Sequence, residues 1–266
     1  MVSFSQLKKN TQEPIIGNFS HHWEEYGLES PEDQDIFNID DHPLGRVYTN
    51  SKREFHYPSA TTIISKVDEL EGNKGWLEEW RKRVGDEEAD RIVEEAMKLG
   101  TNMHNCAEKY MLNQSVPRDD LKAFNLFKKL KPELDNVEGV IFCEHALVSH
   151  RLKIAGRIDL FALMYSGFPE VVVDFKSSRR DKDYGDISGY NIQTTLYQMM
   201  IHEMTGIQSE IGAILMVVWN NGPPYLKTFD VIFNQYREQA LELVAKYHET
   251  VGNEFDLEKQ KEFFLG

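Results

Sequence analysis

The stretch EVVVDFKSSRRD, Glu170 to Asp181, constrains the fold of this chain more than any other. Its valines read as a strand buried on both faces, of the kind that parallel and mixed sheets hold as near-continuous apolar runs. The run ends in Asp174, Phe175 and Lys176. Residues two apart in a strand point to the same face, so an acid and a base emerge side by side where the strand leaves the core. Charge in such a place is costly unless something compensates for it.

The rest of the chain supplies elements to pack around that strand. Residues 1–46 are polar and acidic, rich in turn formers, and read as a loosely packed arm. RVYTNSKREFHYPS reads as two short strands around a turn at Asn50-Ser51. Ser59 or Thr61 then N-caps a short helix. GWLEEWRKRVG, DEEADRIVEEAMKLGTNMHNCAEKYMLN and DDLKAFNLFKKLKPEL follow with apolar residues at helical spacing. Gly100 marks either a break between two helices or a close backbone approach. The third of these helices should stop before Pro132.

From residue 138 the period changes. VIFCEHALVSHRLKIAGRIDLFALMYSGFPEVVVDFK reads as a three-strand meander. NIQTTLYQMMIHEMTG returns to helical spacing and ends at Gly206. IGAILMVVW is a buried strand, YLKTFDVI its partner, and YREQALELVAKYHET a closing helix. The economical reading is one α/β domain over residues 47–250, with a helical part at 58–135, a sheet core at 138–250, and a C-terminal tail at 251–266.

Composition narrows the function. With 41% hydrophobic and 28% charged residues, the chain is an ordinary globular one. No apolar stretch approaches the roughly 20 residues that span a bilayer, and the first residues lack a signal or transit pattern. An intracellular, soluble, cytoplasmic protein without membrane partners is expected. Two cysteines, Cys106 and Cys143, exclude a disulfide framework and a four-cysteine zinc or iron–sulfur centre within this chain. The net charge of −14 argues against a protein that coats nucleic acid, although KSSRRDK is locally basic.

The meander gathers candidate chemistry. GRIDL places Asp159 in an apolar strand just after Gly156. If its strand neighbours that of Asp174, the two carboxylates meet at one sheet end and repel unless a cation separates them. Mg²⁺ or Mn²⁺ suits carboxylate, carbonyl and water oxygens. The Phe175 carbonyl offers a further oxygen, and Lys176 a charge for a bound water or a scissile phosphate. Each piece also has a plain structural explanation: a strand-end Asp is usually a cap or turn former, and Asp174 with Lys176 makes an ordinary ion pair. His104 and Glu108 share a helix face, as do Gln193 and Tyr197; physics alone leaves both pairs open. Glu144 is read as an ordinary strand acid, with metal ligation as the alternative. His145 and His150 receive no role.

The ordered set His104, Gly156-Arg157-Ile158-Asp159, Asp174-Phe175-Lys176, and Gln193 with Tyr197 resembles the PD-(D/E)XK nucleases. It is closest to their exonuclease branch of RecB-type, lambda-type and Cas4-type enzymes. YPSATTIIS and the WLEEWRKRVG segment are similar to phage exonucleases and to the mitochondrial genome maintenance exonuclease. The resemblance covers about residues 47–250. It implies a restriction-endonuclease-like core, a central mixed sheet flanked by helices, with an N-terminal helical extension covering the site. It implies that Asp159, Asp174, the Phe175 carbonyl and His104 hold Mg²⁺ or Mn²⁺, with Lys176 catalytic and Gln193 and Tyr197 placing the strand near the metal. Ser177, Ser178 and Arg179, and also Ser59 and Thr61, would contact nucleic acid.

The expected function is therefore a metal-dependent deoxyribonuclease. It would trim single-stranded DNA or free DNA ends in phage or bacterial repair, recombination or replication. With two cysteines it would carry no iron–sulfur cluster. No P-loop is present, so unwinding needs a helicase or another recombination or replication partner. The alternatives are a lambda-type duplex exonuclease, a nuclease fold that lost catalysis and serves as a DNA or protein adaptor, and a small-molecule metal hydrolase.

Overall fold

The structure, a computed structural model, describes residues 13–39, 42, 43, 45–72, 75–164, 170–219 and 222–266. Its centre is a six-stranded mixed sheet. The long meander forms as the alternation requires: β5 (Val137–Ser149), β6 (Ile154–Met164) and β7 (Glu170–Ser178) pair antiparallel in sequence order. A helix (Ser188–Thr205) then crosses over and returns the chain as β8 (Ile211–Val218), parallel to β7, and β9 (Tyr225–Ile232) closes that edge antiparallel. The crossover is required because parallel neighbours cannot be joined by a tight turn.

Helices cover both faces, which explains why the central strands lack simple alternation. One face packs on α3 (Asp86–Met111) and α4 (Leu121–Leu134), through residues such as Met103, Phe127, Val173 and Leu215. The other packs on α1 (Ala60–Leu70), on α5 (the crossover helix Ser188–Thr205), on α6 (Arg237–Thr250) and on α7 (Leu257–Leu265), through residues such as Ile63, Ile158, Leu196 and Val244. The remaining helix, α2 (Gly75–Val84), precedes α3. Cys106 and Cys143 are free thiols buried in the core. Among the described residues no helix is long and apolar enough to cross a membrane.

Local details differ from the reading of the sequence at Pro132 and at the C-terminal tail, which folds as α7 with Phe264 buried, and they decide between its alternatives at Gly100. α3 runs unbroken through Gly100, and of the two readings of that glycine the close approach is the one realised: a Cβ there would lie 3.3 Å from the Ser177 hydroxyl on β7. α4 continues through Pro132 to Leu134 rather than stopping before it. A proline within the last turn removes only one late hydrogen bond, and the burial of Leu130 and Leu134 outweighs that loss.

The segment before residue 47 makes specific contacts. β1 (Ser20–His21) pairs parallel with β5, and β2 (Phe37–Ile39) joins β3 (Val47–Thr49) and β4 (Tyr57–Pro58) in a small antiparallel sheet. Between β1 and β2, the Gln34 side chain acts like one rung of an extra strand. Its carbonyl accepts from the Ala146 amide at 2.8 Å, and its amide donates to the Ala146 carbonyl and contacts buried His145 Nε2 at 2.6 Å. This occupies backbone groups of β5 on its outer edge, where an open ladder invites mispairing. Gln34→Ala should therefore destabilise the protein by about 1–3 kcal/mol, because it leaves His145 and Ala146 groups without their partner. Urea denaturation, read as a lowered midpoint at unchanged slope, measures it.

Candidate active site

The site forms where β6 and β7 separate. Their pairing runs from Leu163↔Glu170 to Leu160↔Val173, with Asp159 and Asp174 immediately beyond it. Past that fork the Phe175 N–H points toward β6, and it donates to the Asp159 carboxylate at 2.6 Å. The N–H and C=O of one strand residue leave by the same edge, so the Phe175 carbonyl also faces the fork. The carboxylate thus takes the place of a strand backbone.

A second irregularity aims an acid at the same point. Glu144 and Asp159 lie opposite each other between the pairs Cys143↔Leu160 and His145↔Ile158. Cys143 and Leu160 pack with α3 and α4, whereas Leu147 and Ile158 pack with α5, so the inward alternation of both strands slips by one at these two residues. Glu144 absorbs the slip with φ 48°, a left-handed conformation that costs a non-glycine residue of order 1–3 kcal/mol. Arg157 donates to the Glu144 carbonyl at 2.8 Å and holds the kink.

The GRID tetrad can now be understood residue by residue. Gly156 leaves room for the Tyr197 ring, since a Cβ there would lie 2.7 Å from it. Arg157 fixes Glu144, Ile158 enters the core, and Asp159 turns into the site.

α3 brings His104 from the other side. Its Nδ1 is 3.1 Å from Asp159 Oδ1 and 3.9 Å from Glu144 Oε1. One ligand atom from each of His104, Glu144 and Asp159 lies within 4.8 Å of the others. Asp174 lines the same cleft but stands outside that tight trio. It is paired at 2.6 Å with Lys176, whose ammonium also lies 5.1 Å from the Tyr190 ring centroid. Gln193 donates to the Tyr197 hydroxyl at 2.9 Å and to Asp174 Oδ1 at 3.4 Å. α5 is buried along nearly its whole length, so Gln193 and Tyr197 are interior groups and not a helix surface.

The electrostatics show a shortage of positive charge. Burial, together with Asp159, pushes Glu144 up to about 8. Burial pushes Asp174 up to about 6, with Lys176 opposing and Asp159 assisting. Burial would lower His104, but the attraction of Asp159 and its hydrogen bond, with Glu144 behind them, raise it to about 9. Burial would raise Asp159, yet His104, Lys176 and the Phe175 N–H hold it below the usual range. Glu144, Asp159 and Asp174 crowd together around Lys176 in a recessed cleft that Glu108, Arg46 and Arg157 also line, and protons make up the local deficit. A divalent cation fits this donor set. The donors are carboxylate, carbonyl and imidazole with no thiolate among them, and buried Asp174 Oδ2 has its lysine ion pair but no aligned hydrogen bond.

The cleft is about 850 Å³. Of the residues expected to contact nucleic acid, Thr61 and Ser177 line it. Ser59 is buried, and its hydroxyl caps α1 by accepting from the Thr62 amide at 3.0 Å. The Ser178 hydroxyl donates to the Arg180 carbonyl within a turn, and Arg179 lies over the Trp219 ring. Glu108, Arg46 and Tyr190 also line the cleft. Glu144 is the residue whose part was under-read in the sequence; only the register opposite Asp159 reveals it.

The family model of the PD-(D/E)XK nuclease superfamily matches residues 62–261. The chain belongs to that superfamily, and the mixed sheet flanked by helices is consistent with its fold. Among solved structures, the crystal structure of SSO0001 is similar at 15% identity and a TM-score of 0.37, covering 65% of this chain and 69% of that one. The search of curated proteins found no match.

The charge deficit has a measurable consequence. In metal-free protein, His104, Glu144 and Asp174 all hold protons more tightly than in the unfolded chain, where they titrate near 6.5, 4.5 and 4. The native state therefore binds more protons between about pH 5 and 9, and stability falls as pH rises through that window. The Tm should drop by about 5 °C or more from pH 6 to pH 9. Mn²⁺ should restore more of it at pH 8.5 than at pH 6, where protons compete for the ligands. Differential scanning calorimetry with and without the ion checks both statements.

Proposed function

We propose that this protein is a Mg²⁺- or Mn²⁺-dependent exonuclease that digests single-stranded DNA or DNA ends. The observation that carries the reading is the convergence of His104, Glu144 and Asp159 with the Asp174–Lys176 pair in one cleft, beside Gln193 and Tyr197. In this reading His104, Glu144, Asp159, Asp174 and the Phe175 carbonyl hold the metal. A hard divalent cation in this place supplies positive charge to phosphodiester oxygens and activates water for in-line attack.

The protein's own groups supply the rest. Burial would lower the Lys176 ammonium, but Asp174 and Asp159 raise it further, so it stays charged at neutral pH. It acts as a donor to a phosphate oxygen or to the attacking water, not as a base. Burial, with Asp174 and Asp159 nearby, pushes the Tyr197 phenol well up, so it stays neutral. Its oxygen accepts from Gln193, which leaves its own proton for a substrate oxygen. Thr61 and Ser177 provide hydroxyls for the backbone of the bound strand.

The depth of the cleft supports a preference for single strands. The Lys176 side chain is 18% exposed and that of Asp174 2%, between walls supplied by α3 and α5. One flexible strand reaches such groups more readily than an intact duplex. The net charge of −14 points the same way, because continuous duplex binding relies on many cations. A role in DNA repair, recombination or replication, with a helicase or a similar partner, suits an enzyme that works on strands already separated.

Digestion of single-stranded and duplex DNA labelled at the 5′ or 3′ end, with Mg²⁺ or Mn²⁺, tests the proposal. The expected result is stepwise shortening of the single strand, abolished by EDTA and slowed by about 100-fold or more in Lys176→Ala. No digestion by the wild type in either metal, or equal digestion by Lys176→Ala, would overturn it in favour of an adaptor role.

A further inference from the structure

A second depression adjoins the cleft. It is about 550 Å³, between α1 and the end of α6, with Tyr247 in its wall. Arg46 and Thr61 line both spaces, so the two adjoin at these residues. Its polar lining includes groups of the type that contacts phosphate: the hydroxyls of Thr61 and Ser65, and the cations of Arg46 and Lys66. Glu69, the one acid in it among the described residues, lies 3.4 Å from Lys66. Arg46 is exposed, and among the described residues no ion pair engages it. Its backbone carbonyl, in contrast, is tied down by the Ser59 amide at 2.8 Å and the Thr62 hydroxyl at 3.2 Å. The base of the side chain is therefore fixed beside α1 while the guanidinium remains available.

We infer that this depression is a second subsite for single-stranded DNA, adjoining the cleft, in which Arg46 and Lys66 take successive backbone phosphates. The inference rests on the cleft being that of a nuclease for single strands. Charge complementarity argues for the occupant: Arg46 and Lys66 against Glu69 leave the described lining net basic on a strongly acidic protein, with the Thr61 and Ser65 hydroxyls beside them. Thr61 and Lys66 are five residues apart on one helix, about 7.5 Å of rise, a distance that one or two nucleotides bridge. Arg46, at the boundary, would hold the phosphate that passes from one space to the other. A strand of a few nucleotides fills the cleft alone, whereas a longer one engages both.

Fluorescence anisotropy with labelled oligothymidylates of 4 and 20 nucleotides, in Ca²⁺, tests this on the full chain. Lys246→Ala serves as the control, because Lys246 pairs with Glu71 outside the depression. The expected result is that Arg46→Ala and Lys66→Ala each weaken binding of the 20-mer by about tenfold at low salt. Each should also reduce the salt slope by about 0.7, the counterion released per phosphate contact on single strands. Lys66→Ala should bind the 4-mer like the wild type, and Lys246→Ala should bind both like the wild type. If both groove variants bind the 20-mer as the wild type does, while the wild type digests single strands, the second subsite is wrong and the nuclease reading stands. If Lys246→Ala weakens binding equally, the effect is one of overall charge and the subsite is likewise wrong. A wild type that neither binds nor digests single strands overturns both.

Discussion

The hydrogen bond from the Phe175 amide to the Asp159 carboxylate is the contact on which the site depends. Two strands can separate inside a covered sheet only if the freed backbone groups find other partners. Here an acid takes that place, and by doing so it is fixed in an interior position. Once Asp159 is there, the nearby groups must answer its charge: His104 from α3 contacts it directly, and Lys176 tempers it from β7. The opening of the sheet and the electrostatics of the cleft are consequences of one structural choice.

That choice is reinforced by strain and by space. Glu144 occupies a left-handed conformation in the middle of a long strand, and the two strands change facing together at Glu144 and Asp159. Neither feature helps a sheet to pack. Both bring a second carboxylate against the first, which is unfavourable until protons or a cation separate them. Two glycines allow the surrounding elements to approach closely: Gly156 admits the Tyr197 ring, and Gly100 brings α3 down onto Ser177. Stability is thus given up locally for a preorganised set of oxygen and nitrogen donors, and the large two-sided core bears the cost.

Much of this arrangement was legible beforehand. The meander, the crossover helix and the final strand pair follow from period and turn residues, because a doubly covered sheet leaves strong apolar runs. Asp159, Asp174 and Lys176 stood out because charge at the end of such runs is rare. Other features were hidden for identifiable reasons. Glu144 looks like any strand acid until the register sets it opposite Asp159. Gln193 and Tyr197 sit on the polar side of a helix by sequence, and only the packing of α5 shows that this side is interior. Ser59 is open by sequence to two readings, an N-cap or a nucleic-acid contact, and its hydroxyl caps α1.

The sequence by itself determined the meander, the crossover helix, the final strand pair and the residue types available for chemistry, since periodicity and local charge are properties of neighbours along the chain. The tertiary structure alone decided which acids meet, which glycine makes room for which ring, and which of the candidate hydroxyls reach the cleft. Those outcomes depend on register and on helix placement against the sheet. Both are set by contacts between residues tens of positions apart, and a shift of one residue in a strand reverses the direction of every side chain.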